Sequence, residues 1–144
     1  MKHYYPVIFF PDEKSFGVIV PDLDGCFSQG KDLRRAMYWV QDAIGTYLYD
    51  VDEKDFPPPS KIEDIDTSEY PNAIVNVIEF DFDEWKSSLD NPIRHARQNA
   101  GIPVNRLARL MRAPYRTIKN YDKGKTKPPK WLQNLIVEKI ENSI

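Results

Sequence analysis

Four side chains that could carry chemistry lie in one short run of the sequence, at Asp22, Asp24, Cys26 and Ser28. Carboxylates at this spacing could hold two metal ions, and the thiol or hydroxyl could serve as a nucleophile. A cysteine or serine nucleophile needs a neighbouring base. The chain has two histidines and neither lies in this run. We therefore expect no enzyme with a Cys/His or Ser/His pair, and we expect Cys26 to be a small buried side chain.

Metal chemistry has little support elsewhere in the sequence. One cysteine and two histidines cannot build a cysteine or histidine cluster for zinc, nor can the single cysteine form a disulfide within the chain. We expect no metal site and no cofactor. The alternative from the enzyme class is a metal-dependent nuclease that uses Asp22, Asp24 and Asp32.

The composition is that of a globular domain rather than a disordered one, with 41% hydrophobic and 29% charged residues among 144. No apolar run approaches the roughly 20 residues that span a bilayer. The first residues also lack the apolar stretch of a signal peptide. We expect a cytoplasmic protein without a membrane partner.

The net charge of −2 conceals a division of the chain into two halves. Residues 1–90 contain 8 Lys and Arg against 19 Asp and Glu, a net charge of −11, whereas residues 91–144 carry +9 from 12 basic and 3 acidic residues. This asymmetry predicts two domains, 1–88 and 91–144, with different partners. An acidic domain suits a basic partner and a basic domain suits nucleic acid. The alternative is that the two halves attract each other.

The acidic half is predicted to form a small sheet and one long helix, which makes the chain α+β. Pro6 in the first strand predicts an edge strand or an irregular start, and a loop of about five residues joins the first two strands. The last strand is long enough to be central. The predicted strands are Tyr4–Phe10, Phe16–Val20, Cys26–Gln29 and Ala73–Phe82.

The long helix is predicted to begin after the capping residue Asp32 and to end near Asp50. Trp39 and Tyr49 lie off its apolar face, so they either serve a partner or pack against the sheet edge. An acidic, proline-rich connection over residues 51–72 follows. The apolar face, at steps of three and four residues, consists of Leu33, Ala36, Met37, Val40, Ile44, Tyr47 and Leu48.

The basic half is predicted to be all helical, with helices near 92–100, 103–112, 115–122 and 131–140. Asn91 and Pro92 start the first of these helices, and Gly101 stops it. The last helix either closes its own domain or supplies a dimer contact.

The second and third helices of the basic half form a helix-turn-helix pattern, with a tight turn at Ala113-Pro114 and basic residues on the second helix. Arg and Asn donors suit guanine and adenine edges in the major groove, and lysines suit phosphates. The alternative is a structural four-helix domain with a solvated basic face. The predicted DNA-binding residues are Tyr115, Arg116, Thr117, Lys119, Asn120, Lys123, Lys125 and Lys127.

Two family resemblances rest on these motifs. Residues 106–128, with Leu107-Ala108, Ala113 and the run Tyr121-Asp122-Lys123-Gly124, resemble the helix-turn-helix domains of Cro and phage repressors. Pro103-Val104 and Pro114 replace polar residues of that pattern.

Residues 3–82 resemble the HicB antitoxins, through Tyr5-Pro6, Val20-Pro21-Asp22-Leu23-Asp24-Gly25-Cys26, Gly30, Tyr47-Leu48 and Pro57-Pro58-Pro59-Ser60. Asp24 stands where that family has a second proline.

The HicB resemblance implies a degenerate ribonuclease-H-like fold that binds a small, basic, HicA-like ribonuclease toxin. It also implies a C-terminal domain that binds operator DNA as a homodimer, with higher oligomers in complex with toxin. The chain itself would not be an enzyme. The alternatives are a stand-alone ligand-sensing transcription regulator and the nuclease above. The expected toxin-binding residues are Asp22, Asp24, Asp32, Trp39, Asp42 and Tyr49.

Overall fold

The computed structural model describes all 144 residues, which separate into two compact units, residues 1–83 and 84–144. The first unit contains a four-stranded antiparallel sheet and one long helix, and the second contains helices only. The chain is therefore α+β, as its sequence pattern predicts. None of its helices has the length and apolar character needed to cross a membrane.

The sheet of the first unit has the strand order β3-β2-β1-β4. All three pairings are antiparallel, so consecutive strands β1, β2 and β3 form a meander and β4 returns beside β1. The strands are β1 (Lys2–Asp12), β2 (Ser15–Ile19), β3 (Phe27–Gly30) and β4 (Ile74–Asp81).

The predicted edge position of β1 and central position of β4 are both wrong, whereas the alternative of an irregular start for the strand with Pro6 agrees with its ladder to β2. β1 is an inner strand, although it contains Pro6; the proline pairs with Val77 of β4, while the ladder to β2 starts only at Ile8. A proline is tolerated there because one side of β1 has no strand beside it at that point. β4, predicted to be central, is an edge strand with Ile74 and Val77 exposed. Strand length and apolar character do not distinguish an edge strand from a central one.

The hairpin between β1 and β2 is also tighter than predicted. Asp12 pairs directly with Ser15, which leaves a two-residue loop. Glu13 in this loop adopts a left-handed φ of 49°. A short loop of this kind fixes the register of the two strands.

The long helix α1 (Leu33–Leu48) packs on the β3–β2 side of the sheet. Its buried residues include Ala36, Val40 and Ile44, which follow the predicted spacing of three and four residues. Gly30 lets β3 approach the start of this helix, because a Cβ at that position would overlap the backbone nitrogen of Ala36. The prediction that Tyr47 faces inward is wrong. Tyr47 is exposed, whereas Tyr38, which the sequence pattern did not assign to the core, is buried.

Asp32 caps α1 as predicted, since its Oδ1 accepts the backbone N–H of Arg35 at 2.9 Å. Replacing Asp32 by alanine should lower the free energy of unfolding by about 1 kcal/mol, the usual cost of losing an N-terminal cap. Urea unfolding of the Asp32→Ala and Asp32→Asn variants measures this cost. Asparagine can keep the cap, so equal losses in the two variants would contradict the capping role.

The Asp32 cap also predicts a dependence of stability on pH. Its hydrogen bond from the Arg35 backbone, and then the Arg35 guanidinium, hold the carboxyl pKa below its ordinary value of 3.8. A carboxyl with a lowered folded-state pKa contributes stability above its unfolded-state pKa, and this contribution is lost as pH falls through the folded-state pKa. The difference in unfolding free energy between wild type and Asp32→Ala should therefore shrink below about pH 4.

The acidic connection after α1 is extended, with short 3₁₀ turns at Glu53–Asp55 and Ile62–Asp64. It is fastened to the sheet at its proline run. The Tyr5 hydroxyl donates to the carbonyl oxygen of Pro57 at 2.8 Å. Phe56 is buried beside this run and contacts the rings of His3 and Phe82.

The second unit includes most of the short helix α2 (Phe82–Ser87), whose first two residues belong to the first unit. Asn91 and Gly101 begin and end the first of its longer helices as predicted, Gly101 with a left-handed φ of 69°. Leu110, Trp131 and Leu135 are exposed. The helices are α3 (Pro92–Ala100), α4 (Val104–Met111), α5 (Tyr115–Lys123) and α6 (Lys130–Asn142).

Candidate functional site

Two carboxylates in and after the opening motif, Asp22 and Asp32, have hydrogen-bond partners within the fold. Asp22 accepts the backbone N–H of Ser60 at 2.8 Å and also the Ser60 hydroxyl, so it ties the turn to the proline-rich connection. Asp32 caps α1 and pairs with Arg35. No three His, Cys, Asp or Glu side chains of the chain come together in a group that could hold a metal ion. The acids of the nuclease alternative thus do not form a shared ligand set.

Cys26 is buried just before β3, at 4% exposure. Burial raises the pKa of its thiol to about 11. At neutral pH the thiol is protonated, and the protonated form is a poor nucleophile. This agrees with the expectation of a small buried side chain.

Cys26 should therefore react slowly with iodoacetamide in the native chain and rapidly in the unfolded chain. Mass spectrometry at neutral pH, with and without denaturant, measures both rates. Native labelling as fast as labelling of a free thiol peptide would show that the thiol is accessible and ionised. That result would contradict the burial described here.

An open groove of about 620 Å³ lies between the edge strand β3 and the outer face of α1. The α1 residues that line it recur at steps of three and four, so they form one side of the helix. This side differs from the one that packs on the sheet. The groove is lined by Gly25, Cys26, Phe27, Ser28, Gln29, Trp39, Asp42, Ala43, Thr46 and Tyr47.

Exposed aromatic side chains distinguish this groove from an ordinary polar surface. Phe27 is 65% exposed and Trp39 is 42% exposed, and Tyr47 is exposed beside them. The Trp39 ring packs edge-on against the buried Tyr38 ring, with 4.8 Å between centroids, which holds the indole in place. Large aromatics fixed at an exposed position are typical of the anchor residues in protein–protein interfaces.

Of the six residues expected to bind a toxin, Trp39 and Asp42 line the groove. Asp22 and Asp32 are engaged in the fold. Asp24 is exposed in the turn before β3, and Tyr49, also exposed, follows the last residue of α1.

Two aromatic residues of the groove, Phe27 and Tyr47, were not predicted from the sequence to bind a partner. The position of Tyr47, eight residues after Trp39, places both on one side of the helix. This spacing could have predicted that Trp39 and Tyr47 share an exposed side of α1. It was overlooked because Tyr47 also fits the spacing of the apolar face that packs in the core.

The second candidate surface is α5 in the basic unit. Tyr115 and Arg116 are exposed at its start, whereas Thr117 and Asn120 are half-buried. Lys119 lies over the Tyr115 ring, with its Nζ 5.6 Å from the centroid. Among the residues predicted to bind DNA, Lys119 is half-buried, as are Thr117 and Asn120. Lys123, Lys125 and Lys127, at and beyond the end of α5, are exposed.

A second groove adjoins the start of α5, and the sequence prediction did not include its polar residues. Asn105, Arg109 and Arg112 line it together with Tyr115. The first two recur at a step of four residues on α4, and Arg112 caps the helix with a left-handed φ of 52°. The spacing of these donors could have predicted from the sequence that they share one face of α4.

Two polar contacts fix α5 in its unit. Asp122, 6% exposed, receives two hydrogen bonds from the Arg97 guanidinium of α3, at 2.6 and 3.1 Å. The Asn91 side chain accepts the N–H of Arg94 and donates to the carbonyl oxygens of Tyr121 and Asp122. The start of α3 and the end of α5 are thereby joined through one side chain.

Several known proteins are similar to parts of this chain. An uncharacterised 14.9 kDa protein of Haemophilus phage HP1 is 34% identical over 80 residues, which cover 54% of this chain and 60% of that protein. A UPF0150 protein of Thermoplasma acidophilum is 42% identical over 45 residues, or 31% of this chain and 65% of that protein. The chain thus spans less than two thirds of each curated relative.

One solved structure shares the fold. A chain from a toxin–antitoxin complex of Streptococcus pneumoniae matches with a TM-score of 0.53 and 19% identity, over 88% of this chain and 100% of that chain. The family model described as the HicB-like antitoxin of bacterial toxin–antitoxin systems matches residues 5–117. This match covers most of the sheet unit and continues into α5. The chain belongs to the family of HicB-like antitoxins.

Proposed function

We propose that this antitoxin neutralises a small, basic, mRNA-cleaving toxin of the HicA type through its acidic unit. The observation that carries the proposal is the groove between β3 and α1, with exposed Phe27, Trp39 and Tyr47. Membership of the antitoxin family supplies the class of partner. The structurally similar chain from Streptococcus pneumoniae was itself solved in a toxin–antitoxin complex.

The chemistry of the groove suits a basic partner. Asp42 lies three residues after Trp39 on the same side of α1 and lines the groove with it. An Arg or Lys side chain placed over the indole would gain a cation–π contact and a nearby carboxylate. The net charge of −11 over residues 1–90 would attract such a partner at long range. Asp24 and Tyr49, both exposed, are proposed to contribute at the edges of the same interface.

A ribonuclease must present basic residues to its RNA substrate, because RNA is polyanionic. An acidic surface that binds those residues competes directly with RNA. We therefore propose that neutralisation is steric and electrostatic. It requires no covalent step, and none of the residues in the groove needs to react.

We propose further that the basic unit is a helix-turn-helix domain that binds operator DNA and represses the operon of the pair. Tyr115 and Arg116 would enter the major groove from the start of α5. The phosphate contacts would come from Lys119, Lys123, Lys125 and Lys127, with Thr117 and Asn120 closer to the core. The donors of the adjoining groove, Asn105, Arg109 and Arg112, support this assignment because phosphates flank any helix that lies in the major groove.

We also retain a degenerate ribonuclease-H-like assignment for the acidic unit. The order of three antiparallel strands before one long helix supports it. The buried part of β1, Tyr5 to Phe9, contains no carboxylate, and Asp12 is exposed at the end of the strand. The resemblance to ribonuclease-H folds implies that an active member carries a metal-binding aspartate within this strand, so we propose that this chain does not cleave RNA.

Co-expression tests the antitoxin function. The small basic protein encoded beside this chain should stop growth when it is induced alone, and simultaneous expression of the full chain should restore growth. A chain carrying Asp42→Arg and Trp39→Ala should fail to restore it at equal protein level. Persistent growth arrest with the wild-type chain present would overturn the proposal.

A further inference from the structure

The strand β3 is one of the two edge strands of the sheet, and only one of its sides is paired, with β2. Just before β3, the Val20 N–H donates to the carbonyl oxygen of Cys26. Hydrogen-bonded and non-hydrogen-bonded pairs alternate along an antiparallel ladder, so the next residues of β3 that bond to β2 are Ser28 and Gly30. The backbone groups of the residues between these positions point away from β2.

The outward-pointing residues of β3 are Phe27 and Gln29. Each presents its backbone N–H and C=O at the sheet edge, and neither residue forms another hydrogen bond within the chain. No lysine or proline lies in β3 to discourage pairing with a further strand. The edge therefore offers two donors and two acceptors at a spacing that fits another strand.

The opposite edge of the sheet, at β4, is protected. The outward N–H of Val77 is accepted by the Oδ1 atom of Asn76 at 2.9 Å, and the 3₁₀ turn at Ile62–Asp64 approaches this strand. Natural sheets commonly block their exposed edges by such local devices. Their absence at β3 distinguishes this edge as the one to which a partner strand can be added.

We propose that an extended segment of the basic toxin adds to β3 as a fifth strand of the four-stranded sheet. The inference rests on the proposed antitoxin function and specifies how that partner is held. A strand added about 4.8 Å from β3 enters the open groove beside the outer side of α1. In this mode of recognition, backbone hydrogen bonds supply affinity and contacts of alternate side chains supply specificity.

The two faces of β3 predict the side-chain pattern of the toxin segment. Gly30 is buried against the start of α1, whereas Phe27 and Gln29 are exposed on the other face. Successive side chains of a strand point to opposite faces, so every second side chain of the segment would meet the α1 side, with Trp39 and Asp42. A lysine or arginine suits that position, and an apolar side chain suits the place beside Phe27.

The variant Gln29→Pro tests the backbone contact. It removes one outward N–H and preserves the ladder to β2, because an edge strand tolerates proline where the N–H faces solvent. The dissociation constant of the full chain for purified toxin should rise about tenfold, since a backbone hydrogen bond is lost and its acceptor stays unsatisfied. Gln29→Ala keeps the N–H and should change this constant about twofold or less. Val77→Pro makes the same change at the β4 edge and should bind toxin like wild type.

Amide hydrogen exchange provides a second measurement, which needs no variant. In the free chain the amides of Phe27 and Gln29 should exchange rapidly, whereas those of Ser28 and Gly30 are held in the ladder to β2. With saturating toxin, exchange of the first two amides, followed by NMR on the full chain, should slow about a hundredfold or more. The Val77 amide should keep its rate.

Unchanged exchange at Phe27 and Gln29 in the complex, or equal toxin affinity of Gln29→Pro and wild type, would overturn strand addition. If Trp39→Ala still weakens binding in that case, the antitoxin function stands and another element of the toxin fills the groove. A wild-type chain that binds no toxin overturns both proposals. Protection of the two amides without toxin at high protein concentration would make a second copy the occupant of the edge, which also contradicts the proposal. If Gln29→Pro unfolds by circular dichroism, the exchange measurement decides.

Discussion

Replacing Trp39 with alanine is expected to weaken toxin binding by about 2 kcal/mol or more, roughly thirtyfold in the dissociation constant, as for a central aromatic anchor. Trp39 is exposed in the groove, yet it is held by its edge-on contact with the buried Tyr38. A pre-positioned aromatic loses little conformational freedom when a partner covers it. Titration calorimetry or biolayer interferometry of the full chain with purified toxin measures the change.

Trp131→Ala provides a matched control for Trp39→Ala. It removes an equally large and more exposed tryptophan from the other unit, so it should leave the affinity for toxin unchanged. Asp42→Asn removes a charge but keeps the shape of the side chain. It should weaken the dependence of the association rate on salt concentration, with a smaller effect on the affinity measured at high salt. An unchanged dissociation constant for Trp39→Ala would place the toxin elsewhere on the antitoxin.

Replacing Arg116 with alanine is expected to cost about 1–3 kcal/mol in operator binding and to relax specificity at one base pair. Arg116 is exposed at the start of α5, the part of a recognition helix that reaches base edges. Its guanidinium can donate two parallel hydrogen bonds to a guanine. Fluorescence anisotropy with the operator and with single-base variants measures both effects.

Lys125→Ala distinguishes a base contact from a phosphate contact. This lysine lies beyond the end of α5 and is exposed, so its loss should weaken all DNA sequences to a similar extent. It should also lower the slope of log K against log salt by about one. If Arg116→Ala instead behaves as Lys125→Ala does, Arg116 contacts only the backbone and the readout proposed here is wrong.

The sequence predicted those parts of the fold that local chemistry determines. Asp32 and Asn91 accept the backbone N–H groups at the start of their helices, and Gly101 and Gly124 take the left-handed conformation that ends α3 and α5. Each of these features depends on neighbours within four residues. A single pattern of residue types is sufficient to find them.

Several errors concern contacts between distant segments, although the two-residue loop between β1 and β2 is a local feature that was also missed. The sequence of residues 74–81 does not reveal that they pair with β1 alone, because an apolar strand has the same residue pattern at the edge and at the centre of a sheet. The ion pair of Arg97 with Asp122 joins residues 25 positions apart, and no spacing within either helix predicts it. The same limitation affected the candidate surfaces, where the pattern that identified the core of α1 misplaced Tyr47.

The opening motif illustrates the consequence for function. Of its four reactive side chains, only that of Cys26 had a predicted environment, which was burial within the fold. Asp22 is bound to Ser60 and Cys26 is buried. The residue of this stretch that could contribute to binding is Phe27, at the start of β3, which lines the groove.

The most direct test of the antitoxin function is titration of the toxin's RNA cleavage by this chain. Fluorogenic RNA is incubated with a fixed amount of the proposed partner toxin, and this antitoxin chain is added in steps. We predict that cleavage falls linearly and stops near one antitoxin chain per toxin, and that Trp39→Ala shifts the curve to higher concentration while Trp131→Ala does not. Cleavage that continues unchanged at a large excess of the wild-type chain would contradict the account.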